Sequence, residues 1–386
     1  MKKLYGDGIH DDYPYIQAQL DSGVCEVSLP APKVNYVISK TLQMHSNQTL
    51  KLPRMAIIKL AKMSNCAMVE NVDFEKWEAN ICLDGGIWDM NHSEQRPNPY
   101  HFADEFGKKA IDYKNEIGWD PKTSSSLPKT VYTGICMRFC RVKNLIIKNL
   151  TIKNPVIYGC QMAYVEDFTI TDIDFEYNEG SPKLWNMDGF HVEGHCKNGF
   201  ISNLKGACHD DLVAITSDDQ LYGPIDNIVV DGIYAYGSHS AVRLLSHGIP
   251  VKNIVIRNVF GSYYVYCIGL TKYHGPAEER GVLENIIIEN VFACATEGTK
   301  DVGGGEYNFI WIENYLDVEN LQIKNVCRDE STYPTNTIKI DEHAFVKRLK
   351  IEDVILKNRT GKPMQPITIE GKVEDFEQKN IVYEEF

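Results

Sequence analysis

Along most of the chain a nine-residue pattern recurs: one apolar residue, two polar ones, then alternating apolar positions. It reads VKNLIIKNL from Val142, VEDFTITDI from Val165, CKNGFISNL from Cys196 and IDNIVVDGI from Ile225. Further copies are VKNIVIRNV from Val251, LENIIIENV from Leu283, VENLQIKNV from Val318 and VKRLKIEDV from Val346, with a looser one, ANICLDGGI, from Ala79. Alternation of period two with β-branched enrichment predicts strands, and Gly, Asn and Asp between the copies predict turns. From Val142 onward the copies start 23 to 35 residues apart, the spacing of a stacked repeat. Two or three short strands per copy predict an all-β fold, a single-stranded right-handed parallel β-helix of about ten coils. Propeller blades need about 40–50 residues each, and leucine-rich repeats need a leucine signature that is missing.

The period predicts one β-helix domain over residues 1–386, with 1–50 as N-terminal cap and first coil and 359–386 as the C-terminal end. It breaks between Gly86 and Val142, where the segment rich in Pro, aromatics and charge predicts an inserted loop, 91–131, that lines the cleft. A cap or a contact between copies of the chain is the alternative.

Composition narrows the functions. The 386 residues carry 40 Lys and Arg against 53 Asp and Glu, a net charge of −13, which argues against a nucleic-acid partner. The apolar runs fall far short of the roughly 18 residues that cross a membrane, so no membrane partner is expected. Asp7, His10, Asp11 and Asp12 stand where a signal peptide needs an apolar run. The 11 cysteines include no CxxC pair. Both features predict a reducing, cytoplasmic location, although a chain stripped of its leader would read the same way. Association of identical copies stays open.

The densest cluster of reactive side chains runs from Trp185 to Asp219. Asp188 and the adjacent pair Asp210–Asp211 are separated by about one coil, which predicts three carboxylates on one face. Carboxylates this close do not all ionise, so one carries a proton. A protonated acid beside carboxylates is what glycosidic cleavage requires, and a separation of about 6.5–9.5 Å would admit the water that inverts the anomeric centre.

Asn186-Met187-Asp188-Gly189, followed one coil later by Asp210-Asp211-Leu212-Val213-Ala214-Ile215, resembles the polygalacturonases, glycoside hydrolase family 28. The opening LYGDGIHDDYPYIQAQLDSG is similar to the start of the pectate-lyase-like β-helix superfamily, which that family shares, and the likeness implies a short capping helix at roughly Tyr13–Leu20. The resemblance implies Asp210 as general acid, Asp188 and Asp211 as holders of the attacking water, and Asn186 as a shaper of the site. It implies no cofactor, no metal and an oligosaccharide partner. His209 stands where the family usually has Gly. His239 matches the family's Gly-His-Gly without its second Gly, and of the family's Arg-Ile-Lys only Lys272 remains. The missing Arg removes a charge-assisted contact to a galacturonate carboxylate. Arg243, on the His239 strand, is the candidate replacement, with a structural ion pair as the alternative.

These residues predict an inverting glycoside hydrolase, exo-acting on pectin-related or other plant or microbial oligosaccharides, with His209, His239, Arg243 and Lys272 binding substrate. Competing readings are a β-helix lyase or epimerase, or a non-catalytic glycan-binding rod. His191, Glu193 and His195 alternate along one strand and could bind substrate or, with His209, a metal. Asp218 and Asp219 read as turn residues. Trp185, Tyr263, Tyr264, Tyr266, Tyr273 and Trp311 are sugar-stacking candidates.

Overall fold

A computed structural model describes residues 3–178, 184–273, 275–299 and 302–386; the first of the two opening lysines, Lys2, lies outside them. The chain is all-β, a right-handed parallel β-helix, and it divides into two compact units, Met1–His191 and Val192–Phe386.

In the first unit the helix Tyr13–Leu20 forms at the expected residues and buries Ile16 and Leu20. The acidic opening motif ties it to the first coil. The buried Asp12 carboxylate accepts from the backbone N–H groups of Tyr5, Gly6 and Val37, and Asp11 accepts from the Ser39 hydroxyl and N–H. Parallel strands then stack as Glu26–Ser28, Gln48–Lys51, Glu78–Asp84, Met137–Lys153 and Cys160–Glu176. The Ala79 copy starts one residue early in the structure: Glu78 pairs with Val142 and Ala79 with Lys143. Apolar strength placed it wrongly; the turn residue Asn80 keeps the true register.

In the second unit one stack runs through Lys197–Ala207, Ile225–Ser238, Val251–Tyr263, Gly281–Ala295, Leu316–Glu330, Phe345–Asn358 and Lys372–Glu385. A second runs through Asp211–Thr216, Ser240–Leu245, Ile268–Thr271, Ile310–Ile312, Ile338–Ile340 and Ile367–Ile369. The repeats pair in the register their pattern dictates, Ile225 with Val251, Val251 with Leu283, Leu283 with Val318 and Val318 with Val346. Alternate residues therefore form inward columns such as Ile228, Ile254, Ile286, Leu321 and Leu349, all buried. Each such side chain contributes about 1.5–3 kcal/mol relative to an exposed one.

The third and eighth residues of the repeat turn the corners. Asn198, Asn227, Asn253, Asn285, Asn258, Asn290 and Asn325 all adopt left-handed backbone angles, φ between 53° and 59° where Asn203 is included. Asn is one of the few residues that tolerates this region. Their side chains hydrogen-bond from coil to coil, Asn227 to Asn198 at 3.0 Å, Asn285 to Asn253 at 2.9 Å and Asn325 to Asn290 at 2.7 Å.

The insertion belongs to the first unit and holds a second helix, Ala110–Glu116, which the sequence reading missed because seven residues are too few to show a helical period. It encloses a cavity of about 480 Å³ lined by Phe102, Tyr113, Val131 and Tyr132 among others.

Candidate active site

In the second unit the turn Cys208-His209-Asp210 feeds the buried strand Asp211–Thr216, and the strand Ser240–Leu245 lies directly beside it in parallel register, with Asp211 opposite Ser240 and Ala214 opposite Arg243. That register converges His239, Ser240 and Arg243 on the Asp210–Asp211 pair. His239 is fixed by its N–H to the Cys208 carbonyl, 3.2 Å, and Ser238 closes the same turn through Cys208.

Asp211 is fully buried. Oδ2 faces Arg243 Nε at 2.9 Å, while Oδ1 accepts from the Ser240 hydroxyl and from the Tyr266 hydroxyl at 3.1 Å. Asp210 is partly open. Its Oδ1 accepts the Asp211 N–H at 3.1 Å and lies 3.7 Å from His239 Nδ1, which also meets the Ser240 hydroxyl at 3.0 Å. The two carboxyls thus differ in environment as an acid–base pair must.

Aromatic rings surround the pair. Tyr264 and Tyr266 sit edge-on to the His239 ring, at 5.3 and 6.3 Å, and Tyr266 continues to Trp311 and Tyr307. Burial pushes the Tyr264 and Tyr266 hydroxyls up, helped by the negative charges of Asp210 and Asp211, so both stay protonated and able to donate. Gly269 makes the Tyr266 contact possible. A Cβ at that position would lie 2.8 Å from the Tyr266 ring. Sequence reasoning named Tyr264 and Tyr266 only as stacking candidates and missed Ser240 altogether; the signal was its place next to His239.

In the first unit Asp188 is buried against His191, Oδ2 to Nδ1 at 2.5 Å, and the His191 ring stacks on Tyr158 at 4.1 Å. The Asp188 carbonyl accepts from the Tyr177 hydroxyl and the Gly159 N–H, both at 2.8 Å. Asn186 has φ 59°, and its Oδ1 faces His101 Nε2 at 2.8 Å and Asn98 Nδ2 at 3.3 Å. Asn98 also donates to the Trp185 carbonyl, and the His101 ring meets Trp185 edge-on at 4.8 Å. The insertion therefore grips the Asn-x-Asp-Gly segment directly.

The other expected residues have these surroundings. Lys272 is buried, and its Nζ donates to the carbonyls of Gly275 at 3.2 Å and Pro276 at 2.5 Å. Its N–H and that of Tyr273 bond Glu313. The His195 ring lies against the Gly223 backbone, where a Cβ would stand 2.1 Å from its Cδ2. Glu193 is buried and His209 half-buried. Among the described residues the group whose atoms converge as metal ligands do is Asp210, Asp211 and His239, within 4.8 Å of one another, rather than His191, Glu193 and His195. Arg243 and two hydroxyls already stand on Asp211 in that group. Asp218 lies in a bend, as its turn reading predicts, and accepts the N–H groups of His247 at 2.7 Å and Ile249 at 3.2 Å.

Comparison with known proteins places these features. The sequence model of glycosyl hydrolases family 28 matches residues 101–258. A probable endopolygalacturonase D of Neosartorya fischeri is 24% identical over 288 residues, covering 70% of this chain and 52% of that protein, so the chain spans about half the length of this relative. Among solved structures, an exopolygalacturonase of Thermotoga maritima aligns with a TM-score of 0.64 at 16% identity, over 98% of this chain and 89% of the other. The family 28 exopolygalacturonase of Yersinia enterocolitica gives 0.61 at 15% identity, over 100% and 76%. Those structural likenesses concern the fold, and the matched segment contains Asp188, Asp210, Asp211, His239 and Arg243.

Proposed function

We propose that this polygalacturonase-like chain, of the family 28 type, is a glycoside hydrolase that cleaves pectin-related or other plant or microbial oligosaccharides with inversion. The carrying observation is the pair of adjacent carboxyls with unlike surroundings, Asp211 buried against Arg243, Ser240 and Tyr266, and Asp210 partly open beside His239. Asp210 is taken as the acid because it is the partly open member of the pair. Asp210 then protonates the leaving glycosidic oxygen as general acid. Asp211 orients and deprotonates the attacking water. Asp188 takes the second water-holding role by its place in the Asn186-Met187-Asp188-Gly189 motif.

His239, at 3.7 Å, is placed to return a proton to Asp210 after each turnover. His209 neighbours the acid in sequence and contacts substrate. A lyase would need a basic side chain poised to take a ring proton, and Arg243 and Lys272 are both engaged. Exo-action is part of the same proposal, with the insertion 91–131 as its candidate determinant. A reducing, cytoplasmic setting accords with thiols such as Cys140, which burial pushes up to about 12.

The test is hydrolysis of a panel of pectic, galactosyl and rhamnosyl oligosaccharides, followed by proton NMR of the first-formed anomer. Asp210→Asn should lower kcat by about 10²–10⁴ while sugar binding persists. Retention at the anomeric carbon, unsaturated products or full activity in Asp210→Asn would each overturn the assignment; mid-chain cuts would remove exo-action alone.

A further inference from the structure

Asp188 keeps its place in the stack through its backbone. Its carbonyl accepts from the Tyr177 hydroxyl and the Gly159 N–H, both at 2.8 Å, and the next carbonyl, that of Gly189, accepts from the Cys160 N–H at 2.9 Å. So close an approach needs Gly159. A Cβ there would stand 2.5 Å from the Tyr177 hydroxyl oxygen and 2.7 Å from the Gly189 oxygen. These contacts settle where the residue lies but not which way its carboxyl faces, because the side-chain torsions are still to be fixed.

That direction comes from His191, three residues on. Its Nδ1 N–H donates to Asp188 Oδ2 at 2.5 Å. The imidazole is fully buried and offers no surface to a substrate. It lies flat on the Tyr158 ring, with centroids 4.1 Å apart and planes 9° from parallel, and Tyr158 is buried too. The stack fixes the plane in which Nδ1 points, and one short hydrogen bond in that plane fixes the carboxyl. Tyr158 sets the ring, the ring sets Oδ2, and the direction of Oδ1 follows from the rigid geometry of the group. Asp188 is only 1% exposed, so it can hold a water along few directions, and the facing of its carboxyl decides whether it takes part.

We infer that His191 is the positioning residue of Asp188, with Tyr158 as the support of its ring; the inference rests on the water-holding role given to Asp188 above. His191 acts by keeping the carboxyl in the rotamer that directs Oδ1 at the attacking water. A misplacement of about 1 Å at such a group costs about 10²-fold in rate.

Two substitutions separate positioning from packing. His191→Asn puts an amide N–H near the place of Nδ1 but gives up the ring and its stack on Tyr158. His191→Leu fills more of the space and donates nothing. Kinetics are measured on the pectic, galactosyl or rhamnosyl oligosaccharide that the wild type cleaves, beside urea unfolding of each variant. His191→Leu should lower kcat about 100-fold with KM changed less than about threefold. His191→Asn should recover about tenfold of that loss although it is the less stable of the two. Tyr158→Leu leaves the hydrogen-bonded pair intact and keeps the test open where a His191 variant does not fold. It should lower kcat about tenfold, and unchanged kcat there overturns the role of the stack. Asp188→Asn, run in parallel, should lose at least as much as His191→Leu. Activity that follows stability, with the leucine variant at or above the asparagine one, overturns the positioning role and leaves the hydrolase standing. Wild-type kcat in His191→Leu beside a disabled Asp188→Asn does the same. Full activity in Asp188→Asn overturns the inference together with the role given to Asp188. Cleavage of no probe by the wild type overturns the hydrolase reading and the inference with it.

Discussion

Arg243 Nε stands 2.9 Å from Asp211 Oδ2, joining two strands that lie side by side in the stack. Sequence comparison alone cast Arg243 as a substitute for a missing carboxylate-binding arginine, with an ion pair as the alternative, and the structure shows the ion pair. Removing it leaves the buried Asp211 carboxyl without its cationic neighbour. Arg243→Gln should therefore lower kcat by about 10²-fold, comparable to deleting one preorganised electrostatic contact. Arg243→Lys should recover part of the loss, since a point charge replaces a fork. Steady-state kinetics on a cleaved probe check both; unchanged kcat in Arg243→Gln would remove the residue from the machinery.

Gly269 sets the position of Tyr266. A methyl at 269 would stand 2.8 Å from the Tyr266 ring, too close for a carbon contact. Gly269→Ala should tilt the ring and break its hydroxyl contact to Asp211. Stability should fall by about 1–3 kcal/mol from overpacking, and kcat/KM about tenfold from the lost hydrogen bond. Tyr266→Phe should reproduce the kinetic loss with a smaller stability change. Denaturant unfolding and kinetics on the two variants separate the effects.

Asn285 is bonded to Asn253 at 2.9 Å and reached by Asn320 at 3.5 Å, and its φ is 55°. Asn285→Ala loses the contact and strains the left-handed turn, at an expected cost of about 1.5–3 kcal/mol. Asn285→Gly should keep the turn and lose less. The ordering Asn above Gly above Ala in urea midpoints is the result expected.

Asp218 carries a pH signature. Burial raises its carboxyl above the ordinary 3.8, although the His247 and Ile249 N–H groups favour the charged form. The folded state therefore binds this proton more tightly than the unfolded chain does. Its contribution to stability is full below 3.8 and is lost as pH rises through the higher folded value. Asp218→Asn should remove that loss, so the wild type should fall relative to the variant across the window just above pH 4 in urea unfolding. Parallel curves for the two proteins would contradict the assignment.

Much of the stack was legible in the chain itself. The alternation in VKNIVIRNV and LENIIIENV gives the inward columns, because Ile254 and Ile286 have to point the same way once Val251 and Leu283 pair. The opening acids were legible as a cap through resemblance to a known β-helix start, and the structure gives the reason, backbone N–H groups bound by Asp11 and Asp12. The pairing of Asp210 with Asp211, and of both with His239, was legible from spacing and motif. Harder to see were the donors. Ser240 and Tyr266 reach Asp211 from positions 29 and 55 residues away, and a Ser or Tyr in a strand looks the same whether or not it points at an acid. The fate of Lys272 depended on where one loop folded back, which no periodicity encodes. The Ala79 copy slipped by one because its first apolar residue mimics the start of the others, while the corner residue Asn80 marks the true frame.

The corner asparagines have a bearing on how such a chain changes over generations. They bond to their counterparts above and below through side chains alone, so the frame of each coil is locked at its bends and is indifferent to the length of chain between them. An added stretch can leave at one bend and return at the next without shifting a neighbour, as the segment carrying Asn98 and His101 does between the strands Ile87–Asp89 and Met137–Lys153. Specificity can be redrafted in the excursions while the backbone scaffold is inherited unaltered.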